Sequence, residues 1–198
     1  MNIHLTKKQI RQVCLSHRNA LSLEFINQAS YQIIEQIKKI QVYNNAFHIA
    51  YYFPIHGEVD LSGLWQNAIA KGKYCYFPMI QSDHTLVFLP YTPNTTLRSN
   101  RFGILEPDVP ITQAKSGADM DLIFLPLVAF DNILTRLGMG GGFYDKTLQH
   151  SKAPFHIGVA YEWQKYSIIP RAPWDIPLDM VVTEKNIYTH EVDHSNHR

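Results

Sequence analysis

The second half of the chain predicts a strand, a glycine-rich loop and the start of a helix in direct succession. Residues 122–130 are continuously apolar, which indicates a buried strand. Four of the ten glycines then fall within positions 138–142, the glycine-rich loop, and residues 144–148 can begin a helix. Glycine permits positive φ and lets another molecule approach backbone N–H groups, so this succession is typical of a phosphate-binding arrangement.

Charged residues border the glycine-rich loop on both sides. Arg136 precedes it and offers a planar, permanently charged fork for phosphate. Asp145 follows it and suits a hard cation such as Mg²⁺ that bridges phosphate oxygens. Three consecutive glycines can also be only a tight turn, and the glycines alone leave both interpretations open. The bordering charges favour a site for a phosphorylated ligand and a metal ion.

Apolar segments alternate with amphipathic helical segments along the chain. A capping box formed by Thr6 and Gln9 predicts the start of the first helix. Further helices are predicted at residues 22–40 and 61–72, and further strands at residues 47–53, 74–77, 85–89, 156–161 and 180–183. This alternation predicts a single α/β domain over residues 1–198, with a mostly parallel sheet covered on both faces and a flexible tail from about residue 189.

Charge and cysteine usage limit the classes of function. The formal net charge of +1, without a basic block, gives no reason to expect nucleic acid or a membrane as partner. No apolar run is long enough for a membrane span, and no signal peptide is predicted. Cys14 and Cys75 lie within apolar patterns without a Cys-x-x-Cys spacing, which indicates buried free thiols. We therefore expect a cytoplasmic protein.

Two pairs of residues are further candidates for ligand binding. Lys7 and Arg11 lie four positions apart, so one helix face can present both to an anion, although a solvated basic face is the simpler interpretation. Phe53 and Glu58 follow a predicted strand, and ligands of open α/β sheets bind at the carboxyl ends of strands. Glu58 can equally be a first-turn acid that interacts with a helix dipole.

Three other segments carry carboxylates or histidines. Residues 190–194 match the zinc-protease motif His-Glu-x-x-His, but a frayed tail is the better interpretation because no apolar face or third ligand accompanies the motif. Glu106 precedes a proline in a segment without periodicity, which predicts a surface loop unless something binds it. An irregular loop near the end of the chain presents Asp175 and Asp179.

The residues around the glycine-rich loop resemble the signature of a known family. Residues 129–131 (Ala-Phe-Asp) and 136–145 (Arg-Leu-Gly-Met-Gly-Gly-Gly-Phe-Tyr-Asp) are similar to the signature of the 5-formyltetrahydrofolate cyclo-ligases, also called methenyltetrahydrofolate synthetases. Four more features match the family in the same order: Lys7 with Arg11, Phe53 with Glu58, residues 103–107, and Asp175 before Leu178 and Asp179. The resemblance extends over almost the whole chain.

The resemblance implies a ligase that uses ATP and Mg²⁺ to convert 5-formyltetrahydrofolate into 5,10-methenyltetrahydrofolate, with release of ADP and phosphate. The reaction would pass through a phosphorylated formyl group. The implied fold is a three-layer α/β/α sandwich of the type shared with sugar-phosphate isomerases and CoA transferases. We expect a monomer whose partners are its two small-molecule substrates, ATP and 5-formyltetrahydrofolate.

The same resemblance divides the site residues between the ligands. The residues implied for ATP are Lys7, Arg11, Arg136, Leu137, Gly138, Met139, Gly140, Gly141, Gly142, Phe143 and Tyr144. The folate would contact Phe53, Glu58 and the backbone of Met139, Gly140, Gly141, Gly142 and Phe143. Asp145 and Asp175 would hold Mg²⁺, and Arg136 and Tyr144 are the implied catalytic residues. Met139 and Phe143 depart from residues common in the family, so polar contacts at these two positions are lost.

Two other functions are compatible with the loop. One is an isomerase or transferase of a phosphorylated metabolite that uses the loop only as an anion site. The other is a non-catalytic module that binds a nucleotide or a folate. Neither needs a complete set of Mg·ATP residues, so the joint presence of Lys7, Arg11, Arg136, Asp145 and Asp175 favours the ligase. No general acid or base is identified.

Overall fold

A seven-stranded central sheet organises the structure, a computed structural model that describes residues 5–149 and 154–190. The helices are α1 (Lys7–Asn19), α2 (Leu23–Ile37), α3 (Gln41–Asn45), α4 (Ser62–Ala70) and α5 (Phe143–Leu148). The strands are β1 (His48–Ala50), β2 (Tyr74–Ile80), β3 (Leu86–Tyr91), β4 (Leu97–Ser99), β5 (Leu105–Pro107), β6 (Leu122–Pro126), β7 (Ala129–Asp131), β8 (Arg136–Leu137), β9 (Phe155–Val159), β10 (Lys165–Tyr166), β11 (Met180–Val182) and β12 (Ile187–Thr189).

The central sheet is mostly parallel. Its strand order is β12-β11-β9-β6-β1-β2-β3, and the neighbours from β11 to β2 all pair in parallel. The edge strands β3 and β12 are antiparallel to their neighbours, and β2 with β3 forms a hairpin. The parallel strands direct their carboxyl ends to one edge of the sheet, where ligands of such folds bind. The predicted α/β class with a mostly parallel sheet is confirmed.

Helices cover one face of the central sheet. The apolar stripe of α2, which includes Ile33 and Ile37, packs in one buried cluster with Leu64 of α4 and with Ile49 and Phe124 of the sheet. The spacing of these isoleucines is that of a helix with one buried face, as the sequence indicated. This helix pair and the sheet form the first two of the three layers.

The opposite face is covered by α5 and by a small second sheet with the order β10-β7-β8. Ile123 and Val181 of the central sheet pack there with Leu148 of α5 and Phe130 of β7. Helices alone were expected on this face. The small sheet takes much of their place because the apolar segment 122–130 is divided between β6 of the central sheet and β7 of the small sheet, where one strand was predicted.

Helix α1 packs against the edge of the small sheet. The predicted capping box is confirmed, since Thr6 Oγ1 accepts from the Gln9 N–H at 3.3 Å and Gln9 Oε1 accepts from the Thr6 N–H at 2.9 Å. Ile10 and Cys14 of α1 form a buried cluster with Leu137 of β8. This packing places the first turns of α1 beside the residues that precede the glycine-rich loop.

Several predicted boundaries were wrong for local reasons. The helix predicted at residues 22–40 ends at Ile37, and the separate helix α3 follows it. Strand β2 continues past Pro78 to Ile80. Pro78 costs the sheet no hydrogen bond, because its cross-strand partner Phe88 directs both backbone groups to Lys115 instead.

Three further expectations concern the cysteines, membrane spans and the tail. Cys14 and Cys75 are buried and free, as predicted. Within residues 5–149 and 154–190, no helix is long and apolar enough to cross a bilayer. Thr189, where the flexible tail was predicted to begin, still pairs with Met180 in the central sheet. Residues 191–198, and with them most of the His-Glu-x-x-His segment, lie outside the described residues.

Candidate active site

One cleft at the carboxyl edge of the central sheet brings the predicted site residues together. Its volume is about 1250 Å³. Phe53 follows β1 and Leu127 follows β6, and both line the cleft together with the first turns of α1 and the glycine-rich loop. Every residue assigned from the sequence to ATP, folate or Mg²⁺ also lines it. The fold thus gathers these residues although Lys7 and Asp175 are 168 positions apart.

The glycine-rich loop connects β8 to α5 and is open to the cleft. Gly140 has φ of +106° and Gly142, the N-cap of α5, has φ of +67°. Side chains disfavour this region of backbone conformation, so these two positions require glycine. Residues 139–142 are exposed rather than packed against protein. This exposure favours a ligand-binding loop over a purely structural turn.

Lys7 and Arg11 of α1 contact other parts of the cleft. Arg11 Nε donates to the Gly138 carbonyl at 2.8 Å, which links α1 to the glycine-rich loop. The Lys7 ammonium forms an ion pair with the Asp175 carboxylate. A basic face in free solvent, the simpler interpretation of this pair, was therefore wrong. Both side chains line the cleft and are only partly exposed.

Arg136 and Asp145, the charges that border the glycine-rich loop, form an ion pair with each other. Arg136 Nη2 donates to Asp145 Oδ1 at 2.8 Å, and the Arg136 side chain is 4% exposed. The guanidinium carbon lies 5.7 Å from the centre of the Tyr144 ring. Arg136 Nε is buried and has no partner among the described residues. The guanidinium therefore has an unused hydrogen-bond donor beside the loop.

Asp175 is held ionised in the same cleft. Burial alone would raise the pKa of its carboxyl, but the Ala172 N–H, which donates at 2.7 Å, and the Lys7 ammonium together hold that pKa below its usual value. The Ile176 N–H, next in the chain, donates to Asp145 Oδ1 at 3.2 Å. The two predicted metal-binding carboxylates therefore belong to adjoining segments.

These two carboxylates fit one particular kind of Mg²⁺ site. Across the described parts of the chain, no group of three or more His, Cys, Asp or Glu side chains could hold a metal ion. Mg²⁺ commonly binds through one or two carboxylates together with phosphate oxygens and water. Asp145 and Asp175 suit an ion of this kind, which arrives with a nucleotide, better than an ion held by the protein alone.

Glu58 is a buried carboxylate of the same cleft. It is 8% exposed, and Glu58 Oε2 accepts from the Ile55 N–H at 3.2 Å. Burial raises the pKa of Glu58 to about 7, against the opposing effects of the Arg18 guanidinium and the Ile55 N–H. Helix α4 begins only at Ser62, so the interpretation of Glu58 as a first-turn acid was wrong. Its carboxylate lies at the cleft instead.

Aromatic side chains form apolar walls of the cleft. The Phe53 ring stacks on Phe77 with a centroid separation of 4.0 Å and an interplanar angle of 14°. The Phe143 ring lies between His84, at 5.7 Å, and Phe102, at 6.1 Å. Flat ring systems bind well between such surfaces.

Tyr144 lies between the charged and the aromatic parts of the cleft. Burial raises the pKa of its phenol, and the nearby Glu58 carboxylate acts in the same direction while Arg136 opposes both. The phenol is therefore neutral at physiological pH and can donate a hydrogen bond to a ligand.

Glu106 has a structural role that the sequence did not predict. It is 4% exposed, and Glu106 Oε1 accepts from the Ile80 N–H at 3.1 Å and from Asn100 Nδ2 at 2.9 Å. The surface loop predicted here is β5, which pairs with β4. Because Glu106 does not line the cleft whereas Ile104 does, we assign Glu106 to holding this segment in place.

The sequence did not predict several cleft residues or one buried cation. His84, Phe102, Arg171 and Trp174 line the cleft, and Trp174 is 62% exposed. Phe102 and Trp174 directly precede matched positions, so large aromatic residues next to matched motifs were a usable signal. The buried cation is Arg18, which gave no signal because only the fold reveals its partners.

Comparison with known proteins gives a consistent result. The sequence model described as the 5-formyltetrahydrofolate cyclo-ligase family matches residues 4–184. The 5-formyltetrahydrofolate cyclo-ligase of Haemophilus influenzae is 36% identical over 176 residues, which cover 87% of this chain and 94% of that protein. The Escherichia coli protein of the same name is 38% identical over 148 residues, which cover 72% of this chain and 81% of that protein.

Solved structures agree with these relatives. The 5,10-methenyltetrahydrofolate synthetase of Aquifex aeolicus superposes with a TM-score of 0.82 at 34% identity, over 98% of this chain and 100% of that one. The protein of the same name from Mycoplasma pneumoniae, at 24% identity and a TM-score of 0.74 over 91% of this chain and 99% of that one, shares the fold. The chain belongs to the 5-formyltetrahydrofolate cyclo-ligase family.

Proposed function

We propose that this protein converts 5-formyltetrahydrofolate and ATP into 5,10-methenyltetrahydrofolate, ADP and phosphate, with Mg²⁺ bound at Asp145 and Asp175. The observation that carries the proposal is that one cleft joins the cations Lys7, Arg11 and Arg136 to the aromatic and carboxylate groups around Glu58. A nucleotide and a flat, hydrogen-bonding heterocycle can therefore bind next to each other. We also propose that the chain acts as a single-domain monomer in the cytoplasm.

The chemistry requires activation of a poor leaving group. The formyl oxygen attacks the γ-phosphorus of ATP and ADP leaves, which gives an iminium phosphate. N10 of the folate then attacks the formyl carbon, the carbon–oxygen bond breaks, phosphate leaves, and N10 loses its proton. The protein has to align the formyl oxygen with the γ-phosphoryl group and to neutralise the charge on that group. These tasks require positioning and cationic groups rather than a general base.

The nucleotide side of the cleft supplies the charge. Arg136 has an unused buried Nε donor, and Lys7 and Arg11 reach the cleft from one helix. The exposed N–H groups of the glycine-rich loop can add donors to phosphate oxygens. Mg²⁺, when bound, would neutralise charge on the phosphate oxygens. We assign the ATP phosphates to this part of the cleft.

The folate side supplies a ring surface and an acceptor. Phe53 presents a ring beside Glu58, and a carboxylate can accept two hydrogen bonds from the amino and N–H groups at the edge of a pterin ring. The backbone of residues 139–143 then faces the formyl end. Tyr144 lies close enough to Arg136 and Glu58 to be influenced by both, so its phenol is suited to orienting the reacting groups.

The proposal is tested by incubating the purified protein with 5-formyltetrahydrofolate, ATP and Mg²⁺ and recording methenyl-folate absorbance together with ADP. We expect one ADP per methenyl product, and no product without ATP or after chelation of Mg²⁺. Product formation that is indifferent to ATP would contradict the proposal. Binding of both substrates without turnover would instead support a non-catalytic module. Light scattering of the same preparation measures the molar mass and so tests whether the protein is a monomer.

A further inference from the structure

Arg18 is a buried cation behind the cleft. It lies in α1, and its side chain is 1% exposed. An arginine is rarely buried to this extent unless hydrogen bonds and an opposite charge compensate for the lost hydration. Arg18 does not line the cleft and so does not contact a bound substrate directly.

The Arg18 guanidinium contacts four residues that do line the cleft. Nε donates to the His56 carbonyl at 2.8 Å, and Nη1 donates to the Leu127 carbonyl at 3.2 Å. Nη2 lies 3.5 Å from Glu58 Oε1 and 3.8 Å from the Met139 sulfur. One side chain therefore connects the segment before α4, the end of β6 and the glycine-rich loop.

The turn at residues 56–57 is shaped around Arg18. His56 and Gly57 both have positive φ, of +48° and +73°. A Cβ on Gly57 would lie 3.0 Å from the Arg18 carbonyl oxygen and 3.3 Å from its Cγ, so the turn packs closely against Arg18. The Tyr161 hydroxyl donates to the Gly57 carbonyl at 3.0 Å and holds the turn from the other side.

We propose that Arg18 is a positioning residue for folate recognition, which pairs with and orients the Glu58 carboxylate while it fixes the adjoining turn. The role of Glu58 in folate binding rests on the proposed function. The contacts between Arg18 and Glu58 do not.

Arg18 is the charged partner that faces Glu58 among the described residues. The other titratable groups that face this carboxylate are the phenols of Tyr52, Tyr144 and Tyr161. Burial raises the pKa of each phenol, so all three are neutral when Glu58 titrates. Removal of the Arg18 charge should therefore raise the pKa of Glu58 further, because burial would then be opposed only by the Ile55 N–H.

The first measurement follows the titration of the Glu58 carboxyl by NMR in the ligand-free protein. We expect Arg18→Met to raise the midpoint by about one unit or more, the size usual for loss of a nearby opposite charge. In Arg18→Lys, which keeps the charge, the midpoint of Glu58 should remain closer to that of the unsubstituted protein. Lys8→Met is the matched control, because it removes a positive charge from an exposed position of the same helix and should leave the midpoint unchanged.

The second measurement determines the dissociation constant of 5-formyltetrahydrofolate as a function of pH. Near neutral pH we expect Arg18→Met to weaken folate binding by about fivefold, because a one-unit rise of a midpoint near 7 lowers the ionised fraction of Glu58 from about one half to about one tenth. ATP affinity should stay within about twofold. The folate affinity of Arg18→Met should recover at higher pH than that of the unsubstituted protein. In a Glu58→Gln background, Arg18→Met should cause little further loss.

An unchanged Glu58 midpoint in Arg18→Met would overturn the proposal. Equal weakening of folate and ATP, repeated in the Glu58→Gln background, would also overturn it, because that pattern indicates a purely structural residue. If Arg18→Met does not fold, Arg18→Gln makes the same comparison while keeping a hydrogen-bond donor. If the unsubstituted protein forms no methenyl product, the proposed function fails, whereas the NMR midpoints still decide whether Arg18 controls Glu58.

Discussion

Arg136 Nη2 donates to Asp145 Oδ1 at 2.8 Å, so the arginine assigned to phosphate and the aspartate assigned to Mg²⁺ neutralise each other. Lys7 and Asp175 form a second such pair in the cleft. Phosphate bound to the cation and Mg²⁺ bound to the carboxylate would each compete with these ion pairs. Because a phosphate group and a metal ion bring opposite charges, joint binding exchanges partners without leaving a charge unpaired.

Asp145→Asn should reduce turnover strongly while the protein stays folded. The amide keeps the shape of the side chain but removes the charge assigned to Mg²⁺, so we expect kcat to fall by about 10²-fold or more, as for loss of one electrostatic group at a reacting centre. The measurement is the initial rate over a range of Mg²⁺ concentrations.

The matched control for that substitution is Asp108→Asn. Asp108 also pairs with an arginine, Arg98, at 3.5 Å, but it does not line the cleft. The kcat of Asp108→Asn should stay near that of the unsubstituted protein. Equal activity of the two variants would show that the metal has been placed at the wrong carboxylate.

Lys7→Met should weaken ATP binding more than folate binding. A charge-assisted hydrogen bond contributes about 1.5–3 kcal/mol, so we expect the KM for ATP to rise by about tenfold or more. Lys8→Met removes the same charge one position further along the helix, at an exposed site, and should change KM for ATP less than about twofold. Steady-state kinetics with each substrate varied in turn distinguishes the two variants. A similar rise of the KM for ATP in Lys7→Met and Lys8→Met would refute the assignment of Lys7 to ATP.

The sequence predicted the site better than it predicted the connections. The glycine-rich loop and its bordering charges could be predicted from residue types and spacing, whereas Glu58 was assigned to folate only through the family resemblance. The division of residues 122–130 into β6 and β7 could not, because an apolar run does not show where a strand changes sheets. Leu127 and Val128 lie between these two strands, and their carbonyls accept hydrogen bonds from Gln164 Nε2, which belongs to a distant part of the chain.

The ion pairs of the cleft could not be predicted from the sequence either. Lys7, Asp175, Arg136 and Asp145 were assigned to ligands, but which cation faces which carboxylate depends on tertiary packing. Glu106 was expected in a surface loop because the sequence does not show its hydrogen-bond partner Ile80, which lies in another strand. Local patterns therefore identify reactive groups, whereas their partners follow from the fold.

Gly140→Ala should impair turnover as well as stability. The φ of +106° at Gly140 is one that alanine rarely adopts, so the loop has to shift, and a strain of about 1–3 kcal/mol corresponds to a loss of about tenfold or more in kcat/KM. Gly72→Ala is the control, because Gly72 also has positive φ, +77°, with no atom near its missing Cβ, and lies outside the cleft.

The control variant should lose stability and keep its activity. The left-handed conformation costs alanine about 1 kcal/mol, which lowers the melting temperature of Gly72→Ala but leaves kcat/KM unchanged. Thermal unfolding and kinetics of both variants provide the comparison. A Gly140→Ala variant with full activity would contradict a close approach of ligands to this loop.

Glu58 should make the stability of the ligand-free protein dependent on pH. Burial raises the folded-state pKa of Glu58 from 4.5 to about 7, so the folded state binds a proton more tightly than the unfolded state. The stabilisation is therefore present at low pH and is lost as pH rises through about 7. We expect the free energy of unfolding, relative to that of Glu58→Gln, to fall by roughly 2–3 kcal/mol between about pH 4 and about pH 8.

Chemical denaturation of both proteins across this range measures the difference. A constant difference at all pH values would mean that Glu58 titrates normally in the folded protein and is not held in a buried site.

The most direct test of the account uses 5-formyltetrahydrofolate that carries ¹⁸O in the formyl group. If the formyl oxygen takes the γ-phosphoryl group of ATP, that oxygen leaves with phosphate when N10 closes the ring. We predict that each phosphate released by the protein contains one ¹⁸O, as read by mass spectrometry, with one ADP formed per methenyl product. Methenyl product accompanied by unlabelled phosphate would contradict activation by phosphorylation in this cleft.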